Sequence, residues 1–235
     1  MTNIDIKGTI ISSEDQWIYD FFGIQATSPK AIQKALLDAN GDDVTFVINS
    51  GGGDVFAGNE INYMISQYQG NTISDIVGIA ASIATVVACA SDKVRMAAGA
   101  QYMIHNVSSS QSGDYRDMNH MSEVLIGANR SIANTYRLKT GMTERELFNL
   151  MDHETWMDAA RAVELHFADE IIGDTEGQLT DAGKVALYNN NQFATILSDD
   201  VKNKLREQYK NQGSSFDCYR LQTKINLERM RGKQL

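Results

Sequence analysis

A chain of 235 residues with 30 Asp and Glu, 21 Lys and Arg and a single proline is long enough for one sizeable domain plus an appendage. The net charge of −9 is uneven: from residue 201 onward nine Lys/Arg stand against three Asp/Glu, a tail of +6 on a body of −15. An acidic body argues against general nucleic-acid binding. The apolar uncharged run at residues 76–91 is shorter than the roughly 20 residues of a membrane span. Residues 1–8 carry Asp5 and Lys7 and lack the apolar stretch of a secretory leader, so a cytoplasmic protein is expected. Cys89 and Cys218 lie far apart in unlike contexts, which gives neither a metal spacing nor a disulfide framework. Cys89 reads as a small core residue, and no cofactor or metal is implied.

Residues 4–11 alternate well enough for a strand, and Ser12-Ser13-Glu14-Asp15 reads as a helix start. Ser28-Pro29 opens a second helix with Ser28 as N-cap and Pro29 at the first position; Asn40-Gly41 ends it. Residues 44–48 form a β-branched run typical of a buried strand. It leads into Gly51-Gly52-Gly53 as a turn, then a helix with Phe56, Ile61, Met64, Ile65 and Tyr68 at helical spacing. The pattern repeats: 72–77 a strand, 78–82 a turn, 83–90 a helix, then short strands at 93–96 and 101–105. Such alternation predicts an α/β layered fold. Residues 106–113 are polar. A long helix is predicted from Asp117 to about Thr140, a capping box at Thr143 to Glu146 opens another, 159–167 is a short helix and 168–172 a last strand. The texture then turns to Asn, Gln, Lys and Asp, which sets a domain at 1–174 and an extension at 175–235 of unknown role. The basic end of that extension reads as a solvated helical face, with docking to an acidic partner as the other reading.

Two glycine-bearing turns each join a buried strand to a helix. Backbone N–H groups at such a turn lack helical partners, and glycines let another backbone approach closely. That arrangement suits an oxyanion hole. Gly51-Gly52-Gly53 alone fits a phosphate cradle or a plain turn equally well, although it lacks P-loop lysine and dinucleotide spacing. Ser82 has small neighbours, Ala80, Ala81 and Ala84, so it is equally a helix N-cap or an accessible nucleophile. Its segment is not the G-x-S-x-G elbow. Among the four histidines, His120 and His153 read as surface and His166 as half-buried packing. His105 ends a strand beside a polar loop, where a fixed base belongs.

Ile48-Asn49-Ser50-Gly51-Gly52-Gly53, then Gly78-Ile79-Ala80-Ala81-Ser82-Ile83-Ala84, then Met103-Ile104-His105-Asn106 resemble the Clp-type serine peptidase family in order and spacing. Residues 156–165 resemble the segment after that family's acidic residue, and the similarity spans about 4–175. The resemblance implies a ClpP/crotonase fold of repeated strand–strand–helix units. It implies Ser82 as nucleophile and His105 as general base, with an oxyanion hole from the N–H groups of Gly53 and Ile83 and Gly52 shaping the turn. It implies peptide hydrolysis through an acyl-enzyme. It further implies a homo-oligomeric ring in which residues 106–113 lie along the polypeptide substrate and the long helix makes ring-to-ring contact. Three positions depart from the family pattern: Gly51 stands where proline is usual, Glu154 where the triad aspartate is usual, with Asp152 as fallback, and Thr155 where an arginine often serves ring contacts.

Glu154-Thr155-Trp156-Met157 and the C-terminal extension are similar to Clp-like peptidases of phages and prophages, which act on capsid or scaffold proteins in head maturation. A housekeeping Clp subunit serving an ATPase unfoldase is the alternative. The expected first core strand begins at Ile4, which leaves little chain for that subunit's N-terminal pore loop. A crotonase-type acyl-CoA enzyme shares the fold and the paired N–H groups but needs no Ser–His pair. A catalytically dead ring subunit is the third reading. If His105 is the base it must be neutral to act, so hydrolysis is expected to fall below about pH 6–7.

Overall fold

The computed structural model describes residues 2–173 and 196–211. In chain order the elements are β1 (Thr2–Ile10), α1 (Gln16–Phe22), β2 (Ala26–Thr27), α2 (Pro29–Ala39), β3 (Val44–Gly53), α3 (Val55–Ser66), β4 (Thr72–Ala81) and α4 (Ile83–Ala88). There follow β5 (Lys93–Ala97), β6 (Gln101–Ile104), α5 (Tyr115–Thr140), α6 (Glu144–Asp152), β7 (Thr155–Asp158), α7 (Ala159–Glu164), β8 (Glu170–Ile172) and α8 (Asp199–Asn211). The strands form one sheet in the order β2-β1-β3-β4-β5-β8, all parallel along this path. Parallel strands need crossovers, and the helices between them supply these. The α/β expectation holds. Central strands that are apolar along their length, such as 44–48, follow from helices covering the sheet.

β4 divides the sheet. Ile73–Ile76 pairs with β5, whereas 79–81 pairs with β6, which in turn runs antiparallel to β7. The main core gathers Ile6, Phe46, Ile48, Ile61, Ile76, Tyr102, Tyr136 and Phe167. All six residues of α4 are buried, so this short helix is held by packing and not by propensity.

Several boundaries differ from expectation, each for a pairing reason. The glycine run is not a free turn: β3 continues through Gly53, because Thr9 and Ile10 of β1 pair with Gly52 and Gly53. Likewise β4 continues past Gly78 to Ala81, because β6 supplies ladder partners there, and the chain turns at Ser82 alone. α4 stops at Ala88, and α7 is shorter than predicted. The strands β2 and β7 were not anticipated, since runs of two and four residues carry too little periodicity to be read without their partners. The capping box at Thr143 is present, with Glu146 Oε2 accepting from Thr143 N at 2.9 Å. His166 is exposed at a positive φ of 61° and not half-buried, because it closes the turn after α7. Ser28 is the α2 N-cap by position, but its hydroxyl makes no capping bond.

Part of the extension packs back on the body. Leu197 and Leu205 join Ile11, Ile18, Tyr19 and Phe22 in a second apolar cluster. Beside it, Asp15 accepts from Arg206 at 2.6 Å and from Lys202 at 2.8 Å, with only 7% of its side chain exposed. This explains why Asp15, at the α1 N-cap position, makes no capping bond. The basic face thus meets an acidic group of the same chain at these two residues. Cys218 and the rest of the extension lie outside the described residues. Among the described residues no helix is long and apolar enough to cross a membrane.

Replacing Asp15 by Ala strands two cations that its burial now pairs. Asp15→Ala is expected to lower unfolding stability by about 2 kcal/mol, read by urea titration, and to expose residues 196–211 to limited proteolysis.

Candidate active site

β3 and β4 are neighbours, and the site forms at their C-terminal ends. Their register shifts between Ile48↔Ile76 and Ser50↔Ala80, so β4 carries a bulge around Val77 to Ile79. A bulge leaves backbone groups without ladder partners. Asn49 supplies one, its Oδ1 accepting from Ile79 N at 3.2 Å. A Cβ on Gly78 would sit 2.5 Å from that oxygen, so a side chain there would push the Asn49 amide away from β4. Asn49 and Gly78 were legible as motif positions but not as this plug, because the bulge is visible only in the register.

The bulge delivers Ser82 to the end of β4. Its backbone sits at φ 54°, ψ −131°, a region costly for any residue with a Cβ. Ser82 N donates to Met103 O at 2.9 Å, and Thr85 N donates back to Ser82 O at 3.0 Å. Ser82 occupies the α4 N-cap position, yet its hydroxyl makes no capping bond. It lies 2.8 Å from His105 Nε2 instead. The cap reading of Ser82 is thus not borne out by where its hydroxyl points. With Oγ–H donating, Nε2 is the unprotonated nitrogen and Nδ1 carries the proton.

Gly52 is pressed against this turn. A Cβ there would lie 2.7 Å from Ala81 O, 2.8 Å from Ser82 Cβ and 3.2 Å from Ile83 N, and its φ is +93°. Both the close approach and the positive φ demand glycine. Gly53, at φ +147°, is packed on β1, where a Cβ would collide with Ile10 O. Gly51 lies within β3. The Ile83 amide heads α4, where an N–H has no helical acceptor. The structure therefore brings Gly52, Ser82, Ile83 and His105 to one spot, with Gly53 adjoining on β3.

The two carboxylates after α6 take different tasks. Asp152 Oδ1 accepts from Asn106 Nδ2 at 2.8 Å, which anchors the residue after His105. Glu154, at a positive φ of 46°, accepts from Trp156 Nε1 at 3.2 Å. Among the described residues Glu154 acts on His105 through its charge and not through a direct hydrogen bond. Burial pushes the His105 imidazole below the ordinary histidine value, and the Glu154 charge opposes that shift. His120 and His153 are exposed, the latter bonded through Nδ1 to Asn149 O at 2.7 Å. Burial raises the Cys89 thiol to about 11, so it is not a thiolate nucleophile near neutral pH. Among the described residues no cluster of His, Cys, Asp and Glu has metal-binding geometry.

A lowered histidine pKa leaves the base neutral further into acid. The unfolded chain binds that proton more readily, so this group also withdraws stability as pH falls below the ordinary histidine value. The acid limb of kcat/KM is expected below that ordinary value. Glu154→Gln removes the opposing negative charge, lowers the pKa further and moves the limb to still lower pH. Asp152→Asn leaves it in place. A pH–rate profile of the three proteins checks this.

The site geometry agrees with what the chain is similar to. The family model described as Clp protease matches residues 23–175, more than half of the chain and including Ser82, His105 and Glu154. The ATP-dependent Clp protease proteolytic subunit 2 of Thermobifida fusca is 29% identical over 136 residues, covering 57% of this chain and 66% of the relative. The ATP-dependent Clp protease proteolytic subunit of Streptococcus mutans is 29% identical over 150 residues, covering 61% and 76%. The corresponding subunit 1 of Chlamydia muridarum is 29% identical over 140 residues, covering 58% and 73%.

Proposed function

The chain belongs to the Clp protease family, and from that premise we propose that it is a serine endopeptidase with Ser82 as nucleophile and His105 as general base. The observation that carries this reading is the 2.8 Å contact between His105 Nε2 and a Ser82 hydroxyl held out of its capping role by a strained backbone. Ser82 Oγ attacks the scissile carbonyl carbon while its proton passes to Nε2. The carbonyl oxygen becomes an oxyanion, which the N–H groups of Gly53 and Ile83 receive, with Gly52 setting how closely β3 meets the turn. His105 then gives the proton to the leaving amine. Water, deprotonated by the same imidazole, hydrolyses the acyl-enzyme. Glu154 stabilises the imidazolium through its charge and is the proposed third member. An acyl-CoA enzyme of the crotonase type has no use for the Ser82–His105 contact, which weighs against that alternative.

The proposed substrates are capsid or scaffold proteins, acted on in the cytoplasm by a homo-oligomeric ring. Support comes from Glu154-Thr155-Trp156-Met157 and from an extension that packs on α1. A second reading, partnership with an ATPase unfoldase, is favoured by the relatives, which are ATP-dependent Clp protease proteolytic subunits.

A fluorophosphonate probe is expected to label Ser82. Ser82→Ala or His105→Ala should cut hydrolysis of a small peptide by several orders of magnitude, and equal rates in wild type and Ser82→Ala would remove the peptidase reading. For the substrate, the chain is incubated with candidate capsid or scaffold protein and the cuts are mapped by mass. ATP-independent cuts absent with Ser82→Ala support the head-maturation reading. Cleavage only with an unfoldase and ATP supports the other.

A further inference from the structure

The Ser82 carbonyl is clamped from the core side. It accepts from Thr85 N at 3.0 Å and from Thr85 Oγ1 at 2.5 Å. A hydroxyl has one proton, so the 2.6 Å bond between Thr85 Oγ1 and the Tyr136 hydroxyl runs with Tyr136 donating. Burial holds the Tyr136 phenol far above the ordinary tyrosine range, so its proton is present at any working pH. Both residues are essentially inaccessible, Thr85 at 0% and Tyr136 at 1% exposed. In such surroundings serial hydrogen bonds polarise and strengthen one another. Tyr102 adds a bond from its hydroxyl to Thr85 O at 3.2 Å, fixing the same turn of α4.

The carbonyl of Ser82 and the N–H of Ile83 belong to one planar peptide unit and point in opposite directions. Holding the oxygen in the core therefore aims the N–H out of it. The soft rotations that could spoil this aim are ψ of Ser82, in a residue whose backbone is already strained, and φ of Ile83, which the buried helix α4 holds. α5, which carries Tyr136, also reaches the other side of the site. Asn129 Oδ1 accepts from Val107 N at 2.8 Å, two residues after His105.

We infer that Tyr136 and Thr85 are positioning residues that fix the Ser82–Ile83 peptide plane and so aim the Ile83 N–H at the developing oxyanion. The inference rests on reading Ser82 as the nucleophile. It assigns the C-terminal half of α5 a task in the chemistry without contact to substrate.

The test uses the full chain, a small fluorogenic peptide and a peptide aldehyde that mimics the tetrahedral adduct. Tyr136→Phe keeps the ring and deletes the donor. Thr85→Val keeps the volume and deletes both hydroxyl bonds, whereas Thr85→Ser restores them. Loss of a whole oxyanion donor costs about 100- to 1,000-fold in kcat. A misaimed donor is expected to cost about 10-fold in Tyr136→Phe and about 100-fold in Thr85→Val, with KM within about twofold. Aldehyde affinity should fall in step with kcat, Thr85→Ser should stay near wild type, and the acid limb of the pH profile should not move. Unimpaired kcat in Tyr136→Phe and Thr85→Val would overturn the inference. So would a Thr85→Ser defect equal to that of Thr85→Val, or losses that follow only a fall in melting temperature. If the wild type neither turns over peptide nor labels at Ser82, the nucleophile reading itself fails and the inference goes with it. An active wild type with an unimpaired Tyr136→Phe removes the inference alone.

Discussion

The structure around the site depends on one backbone conformation, Ser82 at φ 54° and ψ −131°. Left-handed and neighbouring regions cost a residue with a Cβ about 1–3 kcal/mol, so the surroundings must over-determine it. They do so from both directions. Ahead of it, β4 is locked in register to β6 through Ala81, and Ser82 N is bonded to Met103 O. Behind it, α4 is buried along its whole length and cannot swing out without exposing Ile83, Val86 and Val87. The chain has no relaxed path between a strand that must run to residue 81 and a helix that must start at 83. Reversal at a single residue is the result, and it projects the serine side chain away from its own helix toward His105.

That constraint gives the glycines their meaning. A reversal at one residue leaves no slack, so β3 closes against it directly, and Gly52 is where it touches. A wider turn would have tolerated a side chain there. The bulge that Asn49 fills belongs to the same logic. Without the extra β4 residues between Ile76 and Ala80, β3 and β4 would end level, and Ser82 would fall elsewhere relative to Gly52. Three sequence motifs that look independent are thus parts of one register relation among β3, β4 and β6.

Much of this was legible because it rests on local rules. The β-branched run at 44–48, the Thr143 capping box and the Ser28-Pro29 helix start follow from propensity and cap chemistry, and each element lies where those rules put it. The alternation of strands and helices was enough for the fold class. What was not legible depends on partners distant in sequence. Nothing in Gly51-Gly52-Gly53 alone says that Ile10 and Thr9 will pair with it, and four residues at 155–158 become a strand only beside β6. The same holds at the site. Ser82 was undecided between cap and nucleophile because both need a small polar residue ahead of a helix. The direction of its hydroxyl follows from strain imposed by β6, which no local pattern encodes. His166 misled for the complementary reason: its helix ends a turn earlier than the apolar spacing suggests, leaving the ring in solvent.

The electrostatics of the base follow from the same packing. His105 follows directly on β6, and the pairing that places it beside Ser82 also takes part of its ring out of water, which disfavours the imidazolium. In the proposed mechanism the base becomes imidazolium once the serine proton arrives, so burial without a compensating charge would slow the very step it positions. The compensation comes from the chain that returns antiparallel to β6. α6 ends at Asp152, whose carboxylate is engaged with Asn106, and the turn into β7 places Glu154 in a left-handed conformation near the imidazole. A carboxylate acting through space and not through a direct hydrogen bond steadies the charge less rigidly than a bonded one. In exchange it tolerates the extra methylene of glutamate and leaves Glu154 free to accept from Trp156. The strand without a readable sequence pattern, β7, is therefore what brings Glu154 within electrostatic range of His105, and that placement is as much a consequence of sheet pairing as the serine turn itself.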